Sequence, residues 1–358
     1  MTVQTQSSTA SSTIAYFQIF RIYHAPGHLD DCRPLFNNSR QRIPLTIEAL
    51  ARDRYGRKVD MSAADLASME LIEVTSSGNP VGEPLPYDVG YEDLTGWSSY
   101  RDPGLFVYDE TVVRQLSFDD PNTPNTPNTI VDVHQGVDAV EVDKIHLWVA
   151  TGDSTRKIFA AKFHEHISTC YEGATGRITL EPKEMNKALV TFDHPEKLVY
   201  QLGNSGEETW WRMYHYYISA HTVHGQVPLR YIDMRGLWWD SGEEYKAEYS
   251  FCLAAHSGET SPTANDLPEK LGINGAHPLK TYPIRNPPFV NPQAGKVIVF
   301  MCLSPFNIHF YNGSKRASPV MERLGDITDL YGNVYGFNFR YARGYEQEPR
   351  RALKFERT

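Results

Sequence analysis

The sequence predicts an all-β protein with two antiparallel β-sandwich domains and long loops. Short stretches rich in β-branched and aromatic residues recur along the chain, and turns rich in Gly, Pro and Asn separate them. No long amphipathic helix interrupts this pattern. The length of 358 residues suggests about two domains, at roughly 100–200 residues per domain. The aromatic content of 12% excludes a strongly disordered chain.

The first elements follow from local patterns. Residues 1–13 are rich in Ser, Thr and Gln and predict a flexible lead-in. Residues 14–23 are apolar on both faces, which predicts a strand that is buried on both sides or paired at an interface. Residues 43–50 alternate between apolar and other side chains, as a half-buried strand does. The sequence DRYG at 53–56 then predicts a turn.

Residues 42–79 combine this strand and turn with a short helical turn and a second strand. Ser62 and Asp65 have the spacing of a weak capping box at the start of the helical turn. In this order the stretch resembles bacterial immunoglobulin-like modules, and the resemblance implies an Ig-like first sandwich. The Cys-Trp-Cys arrangement of antibody domains is missing, so the resemblance implies no particular function.

Composition marks the domain limits. The first domain is predicted at 14–182 and contains an acidic loop, rich in Pro and Asn, at 76–143. LEPKEMN, at 180–186, breaks the strand pattern. The second domain, at 186–358, is predicted to be an aromatic-rich sandwich with a basic tail at 340–358, either an assembly device or a disordered end.

The net charge of −9 is localised. Residues 83–143 hold thirteen acids and two arginines, a net charge of −11, which leaves +2 on the remaining chain. An acidic protein of this kind is not expected to bind nucleic acid generally, because phosphate neutralisation needs clustered Lys and Arg. Oxygen ligands in this loop suggest a calcium site, with a solvated loop as the alternative. The proposed calcium ligands are Asp119, Asp120, Asp132 and Asp138.

The pair His164 and His166 is the most metal-like motif. On a continuous strand, an H-x-H spacing puts both imidazoles on one face, as a zinc or iron site needs. His146 and Glu165 are candidate companions. The alternative is a solvated strand face, since Lys162 is predicted to share it. A second group, His215, His221 and His224, has spacing that gives only weak evidence for a metal.

Motifs for nucleophilic catalysis and nucleotide binding are missing. The chain has no Gly-x-Ser-x-Gly elbow, no P-loop and no Gly-x-Gly-x-x-Gly sequence. Adjacent acids such as Glu243 and Glu244 are predicted to be solvated in turns. A non-enzymatic role with no cofactor is therefore favoured over a metal-dependent enzyme that uses His164 and His166.

Aromatic residues cluster in the second half of the chain. Exposed Trp and Tyr side chains can contact sugar rings, lipid headgroups or protein partners, whereas buried ones only pack the core. The candidate ligand-binding residues are Trp210, Trp211, Tyr214, Tyr216, Tyr217, Trp238 and Trp239.

The preferred hypothesis is a non-catalytic binding or assembly protein of bacterial type, toxin-like or directed to a host surface or glycan. A self-assembling structural protein, including a homo-oligomer, is the further alternative. No transmembrane segment is predicted, since no apolar run approaches about 18 residues. The first residues lack the basic and apolar regions of a signal peptide, so the expected location is cytoplasmic or reached by a non-classical export route.

Overall fold

The computed structural model describes residues 14–24, 32–117, 142–170, 176–202, 211–234, 238–241, 250–257, 293–304, 311–312, 315–316, 322–341 and 353–358. The predicted all-β sandwich-like class is confirmed, because these residues form mainly antiparallel sheets. The chain divides into two compact units, Met1–Met185 and Asn186–Thr358. The predicted lead-in at 1–13 lies outside the described residues.

Unit 1 contains two sheets. One has the strand order β1-β3-β7-β6, and the other has the order β2-β10-β8-β4-β5, with β9 paired to β8. All pairs are antiparallel except β2 with β10. The strands are β1 Tyr16–Tyr23, β2 Cys32–Phe36, β3 Ile43–Arg52, β4 Glu70–Val74, β5 Pro80–Pro84, β6 Trp97–Tyr100, β7 Asp143–Thr151, β8 Lys157–Phe163, β9 His166–Ile167 and β10 Arg177–Lys183. The helices are α1 Ala63–Ala67 and α2 Glu110–Ser117.

The core of unit 1 lies between its two sheets. β3 places alternate residues, beginning with Ile43, in this core, as the period-2 pattern predicts. Aromatic rings then join the two sheets. The ring centroids of Phe17 and Phe163 are 5.7 Å apart, and those of Trp97 and Phe159 are 4.9 Å apart. These contacts make unit 1 a sandwich with one shared core.

Unit 2 also contains two larger sheets, with the orders β11-β13-β18-β17-β16 and β15-β21-β22-β23; β12 and β14 both pair with β13. Phe192 of one sheet contacts Tyr335 and Phe337 of the other, at 5.1 and 4.8 Å between ring centroids. The strands are β11 Thr191–Asp193, β12 Glu196–Leu202, β13 Trp211–Thr222, β14 Gly225–Val227, β15 Leu229–Met234, β16 Trp238–Ser241, β17 Ser250–Ser257, β18 Val297–Ser304, β19 Tyr311–Asn312, β20 Lys315–Arg316, β21 Glu322–Asp329, β22 Val334–Tyr341 and β23 Leu353–Arg357.

Among the described residues, one turn type occurs at three places. At Asp53, Thr75 and Asp329, the residue's N–H donates to the carbonyl four positions later, and its own carbonyl accepts from the glycine three positions later. These glycines have φ values between 79° and 88°, a region that side chains disfavour. The predicted turn at 53–56 is confirmed, and the same D-x-Y-G sequence closes the β21–β22 hairpin.

The predicted helical turn is confirmed, whereas the loop predicted at 76–143 is wrong in the part that the structure describes. Ser62 caps α1: its Oγ accepts from the Asp65 N–H at 3.1 Å, and the Asp65 carboxylate accepts from the Ser62 N–H at 2.9 Å, which completes the capping box. Within 76–143, however, β6 completes a sheet and α2 packs beside β2. The hydropathy pattern does not predict a strand at β6, because Ser98 and Ser99 are polar, although both residues are buried. For the basic tail, the alternative of a disordered end is wrong at its last residues, since Leu353–Arg357 forms β23.

A charge ladder crosses the outer face of one sheet. Arg21, Glu48 and Lys144 are register partners on β1, β3 and β7. The Glu48 carboxylate accepts from Arg21 Nε and from Tyr23 Oη, both at 2.7 Å, and lies 3.0 Å from Lys144 Nζ. Burial alone would raise the pKa of Glu48, but the bonds from Tyr23, Lys144 and Arg21 outweigh it and lower the pKa.

This ladder predicts a loss of stability in acid. A carboxyl with a lowered folded-state pKa stabilises the fold above its unfolded value of about 4.3, and this stabilisation is lost as the pH falls through the folded value. Glu48→Gln should therefore cost about 1–2 kcal/mol at neutral pH and much less in strong acid. Thermal melts of both proteins from neutral to acidic pH test this. Parallel curves at every pH would contradict it.

Candidate functional site

The histidine pair is not arranged as the sequence predicts. β8 ends at Phe163, and β9 begins at His166, so the two histidines lie in a tight hairpin and not on one strand. His164 occupies the turn with a φ of 50° and is exposed. His166 is largely buried and its ring packs edge-on against Phe17, at 5.4 Å between centroids. The prediction that both imidazoles share a strand face is therefore wrong.

The predicted companions do not assemble a metal centre around this hairpin. His146 is exposed on β7, where its Nδ1 lies 3.2 Å from Thr46 Oγ1. His221 lies near Ser219 and Asp193, whereas His224 is exposed in the β13–β14 turn. Across the part of the chain that the structure describes, no three His, Cys, Asp or Glu side chains come together as metal ligands. The calcium candidates Asp119, Asp120, Asp132 and Asp138 lie outside the described residues.

The aromatic candidates differ in burial and in whether the structure describes them. Tyr216 and Tyr217 are 2% and 5% exposed, so their prediction as ligand contacts is wrong. Adjacent residues of a strand point to opposite faces, and both faces of β13 are covered here. Four further candidates lie in strands: Trp211 and Tyr214 in β13, and Trp238 and Trp239 in β16. Their role in ligand binding stays a prediction. Trp210 lies outside the described residues.

A different surface emerges on the segment that links the second sheet of unit 1 to α2. We call residues 85–109 the crossover segment. Four consecutive residues of the β2–β3 connection anchor it. Ser39 Oγ donates to Leu94 O at 2.7 Å, the Arg40 guanidinium lies 4.8 Å from the Tyr91 ring centroid, Gln41 Nε2 donates to Val107 O at 3.0 Å, and Arg42 Nη1 donates to Asp102 Oδ1 at 2.6 Å.

Further contacts fix the middle of the crossover segment and its end near α2. Tyr100 is buried, and its hydroxyl donates to Val89 O at 2.6 Å. The guanidinium carbon of Arg42 lies 3.6 Å from the centroid of the Tyr100 ring. Tyr108 donates to Pro34 O at 3.0 Å, and burial raises its pKa. The segment is therefore a fixed part of the sandwich surface and not a free loop.

The crossover segment nevertheless presents large apolar side chains to solvent. Tyr87, Tyr91, Leu105 and Val107 are 59%, 48%, 62% and 45% exposed. Tyr91, Leu105 and Val107 lie where residues 40–42 anchor the segment, at the end of the sandwich where β3 begins. Grouped apolar exposure on an anchored segment is typical of a contact surface. In the sequence, these residues interrupt an acidic stretch whose turn-forming composition predicts a loop.

The chemistry of the crossover segment suits binding. Its acids Asp88, Glu92, Asp93, Asp102 and Asp109 outnumber its one base, Arg101, which gives a net charge of −4. Because all five acids are exposed, they can attract a cationic partner to the apolar side chains.

A cavity of about 380 Å³ lies beside the crossover segment. Its charged lining residues are Asp93, Asp153 and Lys157. Although burial raises the pKa of Asp153, hydrogen bonds from Thr155 and the charge of Lys157 outweigh it and lower the pKa. Lys157 Nζ is 4.0 Å from Asp153 and 2.9 Å from Glu73. A carboxylate whose pKa is lowered is not poised for proton transfer near neutral pH, so these ion pairs stabilise the surface.

Comparison with known proteins gives no family. No protein-family model and no curated protein matches the sequence. Domains 5–6 of the S-layer protein SbsC align over 90% of this chain and 97% of that chain, at 8% identity and a TM-score of 0.19. Domains 4–9 of SbsC align over 90% of this chain but 31% of that chain, at 9% identity and a TM-score of 0.21. Superpositions at this level establish neither a shared fold nor a shared function.

Within the described ranges, no helix has the length and apolar character needed to cross a membrane. The longer of the two α-helices, α2, has eight residues.

Proposed function

We propose that this protein is a non-catalytic assembly protein whose copies associate through the crossover segment. The observation that carries the proposal is the grouped exposure of Tyr91, Leu105 and Val107 on an anchored surface. Fully burying a side chain of this size contributes about 1.5–3 kcal/mol. Because residues 39–42 already hold the segment in place, association does not have to order it first, and less of this free energy is lost.

The first test removes the apolar contacts. A variant with Tyr91→Ser and Leu105→Asp should associate at least about tenfold more weakly than the wild type, since each change removes apolar area and the second adds a buried charge. Sedimentation velocity over a concentration series measures the association constant. Both side chains are exposed, and three of the four contacts from residues 39–42 remain when the Arg40–Tyr91 contact is lost, so the thermal melt of the variant should stay close to that of the wild type.

Val223→Asp is the matched control, because Val223 is 81% exposed and lies in unit 2. It should leave association unchanged. A wild-type protein that stays monomeric at all concentrations would overturn the proposed function. Equal weakening by the control would show that the crossover segment has no special part in association.

Glycan or lipid binding, and a toxin-like role, depend on the tryptophans of unit 2. Trp211 and Trp239 are the positions to test, since Tyr216 and Tyr217 are buried. A glycan array and a liposome pull-down that detect no binding, or binding unchanged by Trp211→Ala and Trp239→Ala, would remove this part of the hypothesis.

A further inference from the structure

We propose that the crossover segment of one copy binds the turn at the opposite end of β3 in a second copy, so that copies join head to tail. This inference rests on the proposed assembly function and names its second surface. We call residues 52–58 the basic turn. β3 connects the two surfaces, since residues 39–42 precede it and the basic turn begins at its last residue.

The basic turn exposes an aromatic ring between two guanidinium groups. Tyr55 is 65% exposed, and the guanidinium carbons of Arg54 and Arg57 lie 4.6 and 5.2 Å from its ring centroid. Tyr16 is 42% exposed, and its hydroxyl lies near Gly56, 3.7 Å from where a Cβ on that glycine would be. Two tyrosines and two arginines thus form one surface, with the residue types that dominate contacts between proteins.

The backbone of the basic turn is fixed. Asp53 Oδ1 accepts from the N–H groups of Tyr55 and Arg57 at 2.8 and 3.0 Å, and its Oδ2 accepts from Arg57 Nε at 2.8 Å. Although burial raises it slightly, these bonds lower the pKa of Asp53, so the turn keeps its geometry across the physiological pH range. The basic turn is therefore preorganised, as the crossover segment is.

The two surfaces are complementary in charge. The basic turn has four bases and one acid, a net charge of +3, against −4 on the crossover segment. Arg40 and Arg42 offset part of the negative charge, but Arg42 is paired with Asp102 and Arg40 lies against Tyr91. The exposed acids Asp88, Glu92 and Asp93 of one copy can therefore form ion pairs with Arg54 of the next copy, which is also exposed.

The positions of the surfaces determine the kind of assembly. β3 has ten residues, so its ends are about 30 Å apart at 3.4 Å per residue. The crossover segment and the basic turn of one unit cannot meet each other. When copies join head to tail, each contact pairs two different patches, and such a heterologous contact extends into rings or filaments, whereas a reciprocal two-fold pairing of the same patches would stop at a dimer.

Variants of the two surfaces separate the possibilities. The crossover variant carries Tyr91→Ser and Leu105→Asp, and the turn variant carries Arg54→Glu and Tyr55→Ser. Each alone should be monomeric where the wild type forms larger species, because each lacks one of the two surfaces. An equimolar mixture should give a dimer and nothing larger, since one complete contact remains. Sedimentation velocity detects all three results.

Lys187→Glu is the matched charge control, because Lys187 is exposed in unit 2. It should assemble as the wild type does. Assembly of the wild type should also weaken with added salt, which screens the charged contact.

A turn variant that assembles as the wild type does would overturn the head-to-tail contact, while a monomeric crossover variant would still support the proposed function. A mixture that stays monomeric would overturn the head-to-tail contact as well. A wild type that never associates would overturn both.

Discussion

Asp329→Ala should destabilise unit 2 by about 3 kcal/mol or more, because it leaves several buried donors without an acceptor. The Asp329 Oδ1 accepts from the N–H groups of Tyr331 and Asn333, both at 2.9 Å. The Oδ2 accepts from Asn333 Nδ2 at 3.0 Å and from Tyr335 Oη at 2.9 Å. Asp329 is fully buried, so water cannot replace these bonds.

The expected loss corresponds to a fall of about 6–12 °C in the Tm of a unit of this size. Scanning calorimetry measures the fall, and hydrogen exchange of peptides from β21 and β22 assigns it to unit 2.

The Asp53→Ala variant is the matched control for Asp329→Ala. Both carboxylates accept from the N–H groups two and four positions later in the same D-x-Y-G turn. Asp53 is only partly buried, so water can reach its carboxylate, and the Tm change of its variant should be smaller than that of Asp329→Ala. Equal changes in the two variants would show that the turn itself, and not burial of the carboxylate, determines the loss.

The raised pKa of Asp329 makes the stability of unit 2 depend on pH. Burial is the main cause that raises the pKa of Asp329, to about 6, although its donors oppose the rise. A folded-state pKa above the unfolded value of about 3.9 means that the contribution of Asp329 is fully present below pH 4 and is lost as the pH rises through 6. Asp329→Asn should remove this pH dependence from the unfolding of unit 2. A wild-type unit 2 that is equally stable at pH 4 and pH 7 would contradict the assignment.

The same two turns show what the sequence can predict. Asp53 and Asp329 begin turns with the same D-x-Y-G pattern, and a turn is predictable at each because Asp and Gly favour this backbone. Their opposite pKa directions depend on the neighbouring sheet, which leaves one at the surface and covers the other. Local conformation is encoded locally, whereas burial is a property of the whole unit.

Strand prediction has the same limit. β3 was predictable because one face is buried and its side chains alternate. β6 was not, because Ser98 and Ser99 are polar yet buried, with hydrogen bonds to Pro86 O. The break between Phe163 and His166 was also missed, since His164 carries the positive φ that Gly or Asn would signal more clearly.

The candidate surface was the least predictable feature. Sequence reasoning favoured the aromatic cluster around Tyr216, but a strand packed on both faces buries that tyrosine. The sequence predicts a solvated loop around Tyr91 and Leu105, and only the contacts from residues 39–42 show that they are presented on a fixed segment. Whether a side chain is exposed depends on tertiary packing, and the chemistry of a single residue does not predict it.

Gly152→Ala should displace the crossover segment and weaken both unit 1 and the assembly. Gly152 follows β7, and its N–H donates to Gly96 O at 2.9 Å. A Cβ at Gly152 would lie 2.3 Å from Leu94 O and 2.6 Å from Ser39 Oγ. These two atoms form the 2.7 Å bond that anchors the segment, so the methyl group must break or shift it. Overpacking of this kind costs about 1–3 kcal/mol, and contact with a backbone atom favours the upper end.

Gly96→Ala is the matched control, because a Cβ there meets open space in the same crossover segment. Calorimetry should show a lower Tm for Gly152→Ala and little change for Gly96→Ala. Hydrogen exchange should rise within 85–109 in the first variant alone. Sedimentation should then show weaker association for Gly152→Ala, although no exposed residue has changed. Faster exchange with unchanged association would mean that copies contact each other elsewhere, since a displaced surface cannot keep an affinity that depends on its anchored geometry.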